Sequence, residues 1–160
     1  MRYLFVALIL FLGGCSLKEY QHSATKLIIL KTPKIRFNDI GYIRYGDNNA
    51  VELELYMAGE VVNRFRIDHL VCVKDKGCIT KSMFNTQYLN GAYPTSLLQN
   101  ILLAKPIYNG KALEKKGSMF VQRIVSDDVH IIYRVSQHQI YFKDKFNHIL
   151  IKIKDIQNGK

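Results

Sequence analysis

Apolar and polar residues alternate along much of this sequence, and the alternation predicts β-strands. In "AVELELYM", the residues Val51, Leu53, Leu55 and Met57 share one face, while two glutamates and Tyr56 share the other. The stretches "DVHIIYRV" and "HILIKIKD" repeat this pattern, which is typical of half-buried antiparallel strands. Further strands are predicted at residues 34–45, 61–67, 69–73, 78–81, 119–125 and 139–142. The short connections between them favour a meander of hairpins.

One segment departs from the alternation. In "PTSLLQNILLA", the residues Leu97, Leu98, Ile101 and Leu102 recur at helical spacing, and Pro106 is expected to end the helix. An amphipathic helix buries its apolar side best against the apolar face of a sheet. The sequence therefore predicts one mainly β (α+β) domain, over residues 31–160, with one or two helices against the sheet.

The N-terminus has the features of an export signal. Arg2 precedes an apolar run over residues 3–12, which is too short to span a bilayer as a helix. The order "LGGC" resembles the bacterial lipobox, in which the cysteine is acylated and the chain is cut before it. The resemblance implies that residues 1–14 form a lipoprotein signal peptide and that Cys15 is the lipid attachment site. Residues 15–30 are predicted to be a lipidated tether.

Ser16 follows Cys15, and by resemblance to Gram-negative lipoproteins a residue other than aspartate there implies the outer membrane. We expect the protein to be anchored on the periplasmic face. The formal net charge of +10 favours anionic partners, either lipid headgroups or acidic proteins. Export to this compartment argues against nucleic acid.

Cys72 and Cys78 stand six residues apart, with a turn-forming "KDKG" between them. In an oxidising compartment this spacing favours a disulfide across a hairpin tip. Two free thiols are the alternative. Zinc and redox motifs need a two-residue gap, so neither is expected here.

Little in the sequence indicates catalysis. The five histidines lack the helical i, i+4 spacing of metal ligands. The chain also lacks a nucleophile elbow and a phosphate-binding loop. We expect neither an enzyme nor a metal or cofactor site.

The order of the elements resembles the LolB-like outer-membrane lipoprotein receptors. The resemblance is carried by "YPTSLLQNILLAKPIYNG", by the strand pair "LELYMAGEVVNRFRI" and by the closing run "IYFKDKFNHILIKIKDI". It implies an unclosed antiparallel β-barrel with helices on its concave side. It also implies a function: such a receptor accepts lipoproteins from a periplasmic carrier, holds their acyl chains in the concavity and inserts them into the outer membrane.

Membrane insertion in that family uses an exposed apolar residue in a protruding turn. The corresponding turn here is Met57-Ala58-Gly59, so Met57 or Ala58 is expected to be the membrane hook. The family's tryptophans are absent from this chain, and the pair of cysteines is not a family feature.

The resemblance also suggests which residues bind acyl chains. The expected contacts are the inward apolar residues of the strands and the helix: Leu53, Leu55, Phe65, Leu98, Ile101, Leu102, Ile131, Tyr133, Ile149 and Ile151. The same residues can equally form a filled core. In that case the protein, expected to be a monomer, is a structural or interaction lipoprotein of the cell envelope without lipid transfer.

Four lysines near the C-terminus form a second candidate surface. They are predicted to dock an acidic carrier or to lie against lipid headgroups, and a solvated strand face is the alternative. The four are Lys143, Lys145, Lys152 and Lys154.

Overall fold

The computed structural model describes residues 20–156, which form eleven strands and two short α-helices. The strands are β1 Tyr20–Lys31, β2 Arg36–Gly46, β3 Val51–Met57, β4 Glu60–Ile67, β5 Leu70–Val73, β6 Gly77–Thr80, β7 Leu113–Lys116, β8 Met119–Val125, β9 His130–Ser136, β10 Gln139–Asp144 and β11 Ile149–Asp155. The helices α1 Lys81–Tyr88 and α2 Leu97–Leu102 both lie between β6 and β7 in the chain.

All eleven strands belong to one antiparallel sheet. Its order is β6-β5-β4-β3-β2-β1-β11-β10-β9-β8-β7, so the first and last strands pair at its centre. Within the described residues β6 and β7 are edge strands, and the curved sheet is therefore unclosed. The predicted mainly β, antiparallel meander is confirmed.

The predicted tether is wrong from Tyr20 onward, because Tyr20–Lys31 is the longest strand and pairs with both β2 and β11. The domain therefore begins before residue 31. Alternation could not reveal the first half of β1. Ala24 and Lys26 occupy the inward positions there, and neither is a large apolar residue. Backbone pairing with β2 holds residues 20–25 in place, and β11 pairs with β1 only from Lys26 onward.

The sheet has one apolar face, called the inner face here. Inward side chains from the strands and side chains from both helices form a single buried cluster. Phe65 on β4 shows how they meet, because its ring makes edge contacts with Phe84 and Tyr88 of α1, at centroid distances of 5.6 and 6.3 Å. The segment from residue 81 to residue 112, called the covering segment, thus lies over the inner face.

Two elements of this region were not predicted. Helix α1 carries only two large buried side chains, Phe84 and Tyr88. Two apolar positions one turn apart are too few to indicate a helix from the sequence. Strand β7 is an exposed edge strand without apolar alternation.

Helix α2 ends earlier than Pro106. Ala104 adopts φ +54°, and the backbone N–H groups of Ala104 and Lys105 donate to the carbonyls of Ile101 and Asn100. This is a left-handed cap that closes the last turn of a helix.

Candidate functional site

The ten residues predicted to contact acyl chains lie together on the inner face. Seven come from β3, β4, β9 and β11, and three come from α2. Cross-strand pairing places Leu53 beside Phe65 and joins Ile151, Phe142 and Tyr133 in one row. All ten are only 0–6% exposed. In this structure the inner face is therefore packed against the covering segment.

Surface cavities lie away from these residues. One of about 730 Å³ is lined by Leu27, Ile40, His138, Lys154, Asp155 and Ile156. Another, of about 320 Å³, opens beside Tyr20, Arg66 and Leu70. Neither is lined by any of the ten residues.

Polar side chains fasten the covering segment to strands β8, β9 and β10 at three places, and Gln99 also donates to the Asn49 carbonyl in the β2–β3 connection at 2.7 Å. At β8, the fully buried side chain of Gln122 accepts a hydrogen bond from the Ile107 N–H at 2.8 Å and donates to the carbonyls of Ile107 and Lys111. At β9, the Tyr133 hydroxyl donates to the Lys105 carbonyl at 3.0 Å. The third place is at the end of β10.

There, Tyr93 donates its hydroxyl hydrogen bond to the buried carboxylate of Asp144 at 2.7 Å. The amide of Asn147 and the backbone N–H of His130 also donate to this carboxylate. Burial disfavours the charged form of Asp144, but hydrogen bonds from Asn147, Tyr93 and His130 outweigh it and hold its pKa below the ordinary value. Burial, together with the same contact, raises the pKa of Tyr93.

Tyr108 lies in the same segment but has no comparable contact. Its hydroxyl is buried, and among the described residues it has no hydrogen-bond partner. Burial, followed by the charges of Asp144 and Asp128, raises its pKa to about 12. Tyr93 and Tyr108 therefore form a natural pair for comparison.

Sequence reasoning missed the residues that attach the covering segment, chiefly Tyr93, Asp144 and Gln122. A signal was present for two of them. Gln122 and Asp144 stand at inward positions of "MFVQRIV" and "QIYFKD", where the alternation calls for an apolar residue. A buried polar residue requires a partner, so such interruptions indicate attachment points.

The predicted membrane hook lies in the β3–β4 turn. Met57 is 53% exposed, and Ala58 and Gly59 adopt positive φ values of +51° and +85°. Two consecutive residues of positive φ make a tight hairpin of the I′ kind. Along β3 this turn lies six residues beyond Val51, which pairs with Tyr45 and is level with His22. Met57 is therefore at the opposite end of the sheet from Tyr20.

Three of the four predicted docking lysines lie on the same face of the sheet. Lys143 projects from the outer face of β10, and Lys152 and Lys154 project from the same face of β11. Lys145 instead lies in the β10–β11 turn, where its backbone N–H donates to the His130 carbonyl.

Cys72 and Cys78 are directly opposite one another on β5 and β6, and they form a disulfide in this structure. Cys15 and the signal segment lie outside the described residues. Over residues 20–156 no helix has the length and hydropathy to cross a membrane. The same part of the chain holds no cluster of three or more potential metal ligands.

Comparisons with family models, with curated proteins and with solved structures gave no match to this chain.

Proposed function

We propose that this chain is a lipoprotein, anchored through Cys15 in the periplasmic face of the outer membrane, that binds the acyl chains of other lipoproteins on its inner face. It receives them from a periplasmic carrier and helps to insert them into the membrane. The supporting observation is the way in which the inner face is covered.

One segment covers that face, and this segment contains no strand among its described residues, 81–112. It joins the sheet through the edge strands β6 and β7 and through side-chain hydrogen bonds such as that of Tyr93 with Asp144. Moving it aside breaks none of the pairing in the sheet. The step exposes a continuous apolar surface, as an unclosed barrel of the LolB-like kind requires.

Acyl chains can then replace the apolar side chains that withdraw. Leu97, Leu98, Ile101 and Leu102 of α2 are buried in the closed form. Burial of apolar area contributes about 25 cal/mol per Å² whether the area belongs to leucine or to an acyl chain. Binding of acyl chains to the inner face therefore recovers much of the free energy that is lost when the covering segment moves. No covalent chemistry is required.

A second function is favoured by a specific observation. Because all ten inner-face residues are nearly inaccessible, the same structure suits an envelope lipoprotein that acts through its surface and keeps its core filled. The two functions differ in whether the inner face binds an acyl chain.

Site-specific photo-crosslinking separates them. A photoreactive residue placed at Leu55, on the inner face of β3, should cross-link to a triacylated lipoprotein supplied by a carrier. The same residue at Thr86, an exposed position on α1, should not. A filled core predicts no lipoprotein adduct at either position, and that outcome would exclude the acyl-binding function.

A further inference from the structure

The outer face of the sheet is divided by charge. On one half, Glu52 and Glu54 of β3 are buried beneath arginines: Arg44 contacts them at 2.5 and 2.6 Å, and Arg64 contacts Glu54 at 2.5 Å. Tyr56 also donates to Glu54 at 3.1 Å. Arg44 and Arg64 are thus paired with buried carboxylates, whereas Arg36 and Arg66, at outward positions of β2 and β4, add further positive charge to this half.

The region beside it lies between that half and strands β8 and β7, where Glu114 pairs with Arg123. This region consists of the outward positions of β9, β10, β11 and β1. These positions carry no aspartate or glutamate within the described strands. They carry instead Lys31, Arg134, Lys143, Lys152 and Lys154, which we call the basic face. None of these five forms a salt bridge with a described carboxylate.

Apolar side chains are interleaved with these charges. Leu27, 38% exposed, pairs across the strands with Lys154 on one side and with Ile40, 43% exposed, on the other. Leu150 pairs with Lys31 and with Lys143. Neighbouring strands are about 4.8 Å apart, so charged and apolar groups alternate over a surface roughly 20 Å wide. Lipid interfaces favour this mixture, in which ammonium groups meet phosphates and apolar side chains enter the headgroup region.

The position of the anchor allows the same surface to face the membrane when the sheet lies flat, although the basic residues begin at the level of Leu27. Cys15 precedes Tyr20, the first residue of β1, by five residues, which span at most about 17 Å. A leaflet holding Cys15 must therefore pass close to the start of β1, a strand of the basic face. An approach by the end of the sheet would instead bring Asp47 of the β2–β3 connection towards lipid phosphates, with Lys105 as the neighbouring cation.

We infer that the basic face is a membrane-docking surface, on which the sheet lies flat against the anionic lipid leaflet that holds its own anchor. The anchoring part of the argument rests on the proposed function, whereas the charge distribution does not. Lying flat leaves the edges of the sheet, and the covering segment between them, free to move. It also keeps the β3–β4 turn within reach of the leaflet, which an end-on approach would not.

The test uses residues 15–160 with Cys15→Ser, which retain every contact described over residues 20–156 and carry no acyl group. Binding is measured by co-sedimentation with vesicles of phosphatidylcholine alone and with vesicles containing phosphatidylglycerol. We expect binding only to the anionic vesicles, weakening as salt is raised. The triple variant Lys143→Glu/Lys152→Glu/Lys154→Glu should bind at least 100-fold more weakly, since each basic residue near an anionic surface contributes about 1 kcal/mol.

The matched control is Lys74→Glu/Lys111→Glu/Lys115→Glu, which makes the same charge change at exposed positions away from the basic face. It should retain most of the binding. Equal loss in both triple variants, or no binding to anionic vesicles, would overturn the inference. Salt-sensitive binding to poly-glutamate without binding to vesicles would also overturn it, in favour of an acidic protein partner. Because no cargo is present, none of these outcomes bears on acyl-chain binding.

Discussion

The Tyr93 hydroxyl donates a hydrogen bond to the Asp144 carboxylate at 2.7 Å, joining the covering segment to the end of β10 across 51 residues of sequence. The carboxylate is fully buried. Hydrogen bonds to buried charged groups are among the stronger individual contacts in a fold. This contact directly attaches the part of the molecule proposed to move to the part proposed to stay.

We predict that Tyr93→Phe lowers the free energy of unfolding by about 1.5–3 kcal/mol, because it leaves a buried carboxylate with one donor fewer. Tyr108→Phe is the control, since it removes a hydroxyl that has no hydrogen-bond partner among the described residues. It should change stability little or raise it. Urea denaturation measures the free energy of unfolding of both variants. If both lose the same amount, the hydrogen bond of Tyr93 does not contribute specifically to stability.

The pH dependence of stability should reveal Asp144. Its pKa in the folded protein is lowered, so the ionised carboxylate stabilises the fold. That contribution is fully present above the unfolded-state pKa of about 3.9 and is lost as the pH falls through the lower, folded-state value. Asp144→Asn should reduce the free energy of unfolding at neutral pH. It should also make that free energy fall less steeply as the pH drops below about 4. Glu54 and Asp155, whose pKa values are also lowered, preserve part of that decline.

Asp127→Asn, at an exposed position of the β8–β9 turn, is the control for this experiment. Thermal melts between pH 2.5 and pH 7 are sufficient. If the melting temperature of Asp144→Asn falls with pH as steeply as that of the unmodified protein, Asp144 is not the carboxylate responsible.

The β3–β4 turn offers a test of backbone strain. Ala58 adopts φ +51°, a conformation that favours glycine. Ala58→Gly should stabilise the protein by roughly 0.5–1 kcal/mol. Ala92→Gly, at an exposed position without positive φ, should destabilise it slightly or leave it unchanged. A lower melting temperature for Ala58→Gly would show that the turn has another conformation in solution.

Met57→Asp should abolish delivery of a bound lipoprotein into vesicles and leave its uptake unchanged, because a charge at the turn cannot enter the bilayer. Val62→Asp is the control, since Val62 is an exposed apolar residue on β4. Delivery is read from the fraction of lipoprotein that floats with vesicles. Unimpaired delivery by Met57→Asp would show that Met57 is not the hook.

Most of the sheet could be predicted from the sequence, because strands with one buried face repeat apolar residues at every second position. Leu53, Leu55 and Ile151 follow this rule, and all three are buried on the inner face. The rule fails where inward positions hold other residues. Ala24 and Lys26 conceal the first half of β1, which is defined by its backbone pairing with β2.

The attachment of the covering segment could not be predicted for a different reason. Asp144 interrupts the apolar alternation of β10, which indicates an attachment point but not its partner, and Tyr93 is 51 residues away in the sequence. Their relationship exists only after β10 and the covering segment have packed together. Whether the inner face opens is a free-energy difference between two packed states, and alternation carries no information on it.

The most direct test of acyl-chain binding is an equilibrium titration of residues 15–160, with Cys15→Ser, using a fluorescent sixteen-carbon acyl probe. If the covering segment must open before cargo enters, a weaker attachment raises the population of the binding-competent form and hence the apparent affinity. We predict saturable one-to-one binding. Tyr93→Phe should bind at least about tenfold more tightly than the unmodified protein, since 1.4 kcal/mol corresponds to a factor of ten. Tyr108→Phe should bind as the unmodified protein does. Absence of saturable binding by the folded protein, or equal affinities for Tyr93→Phe and the unmodified protein despite a measured loss of stability, would contradict the account.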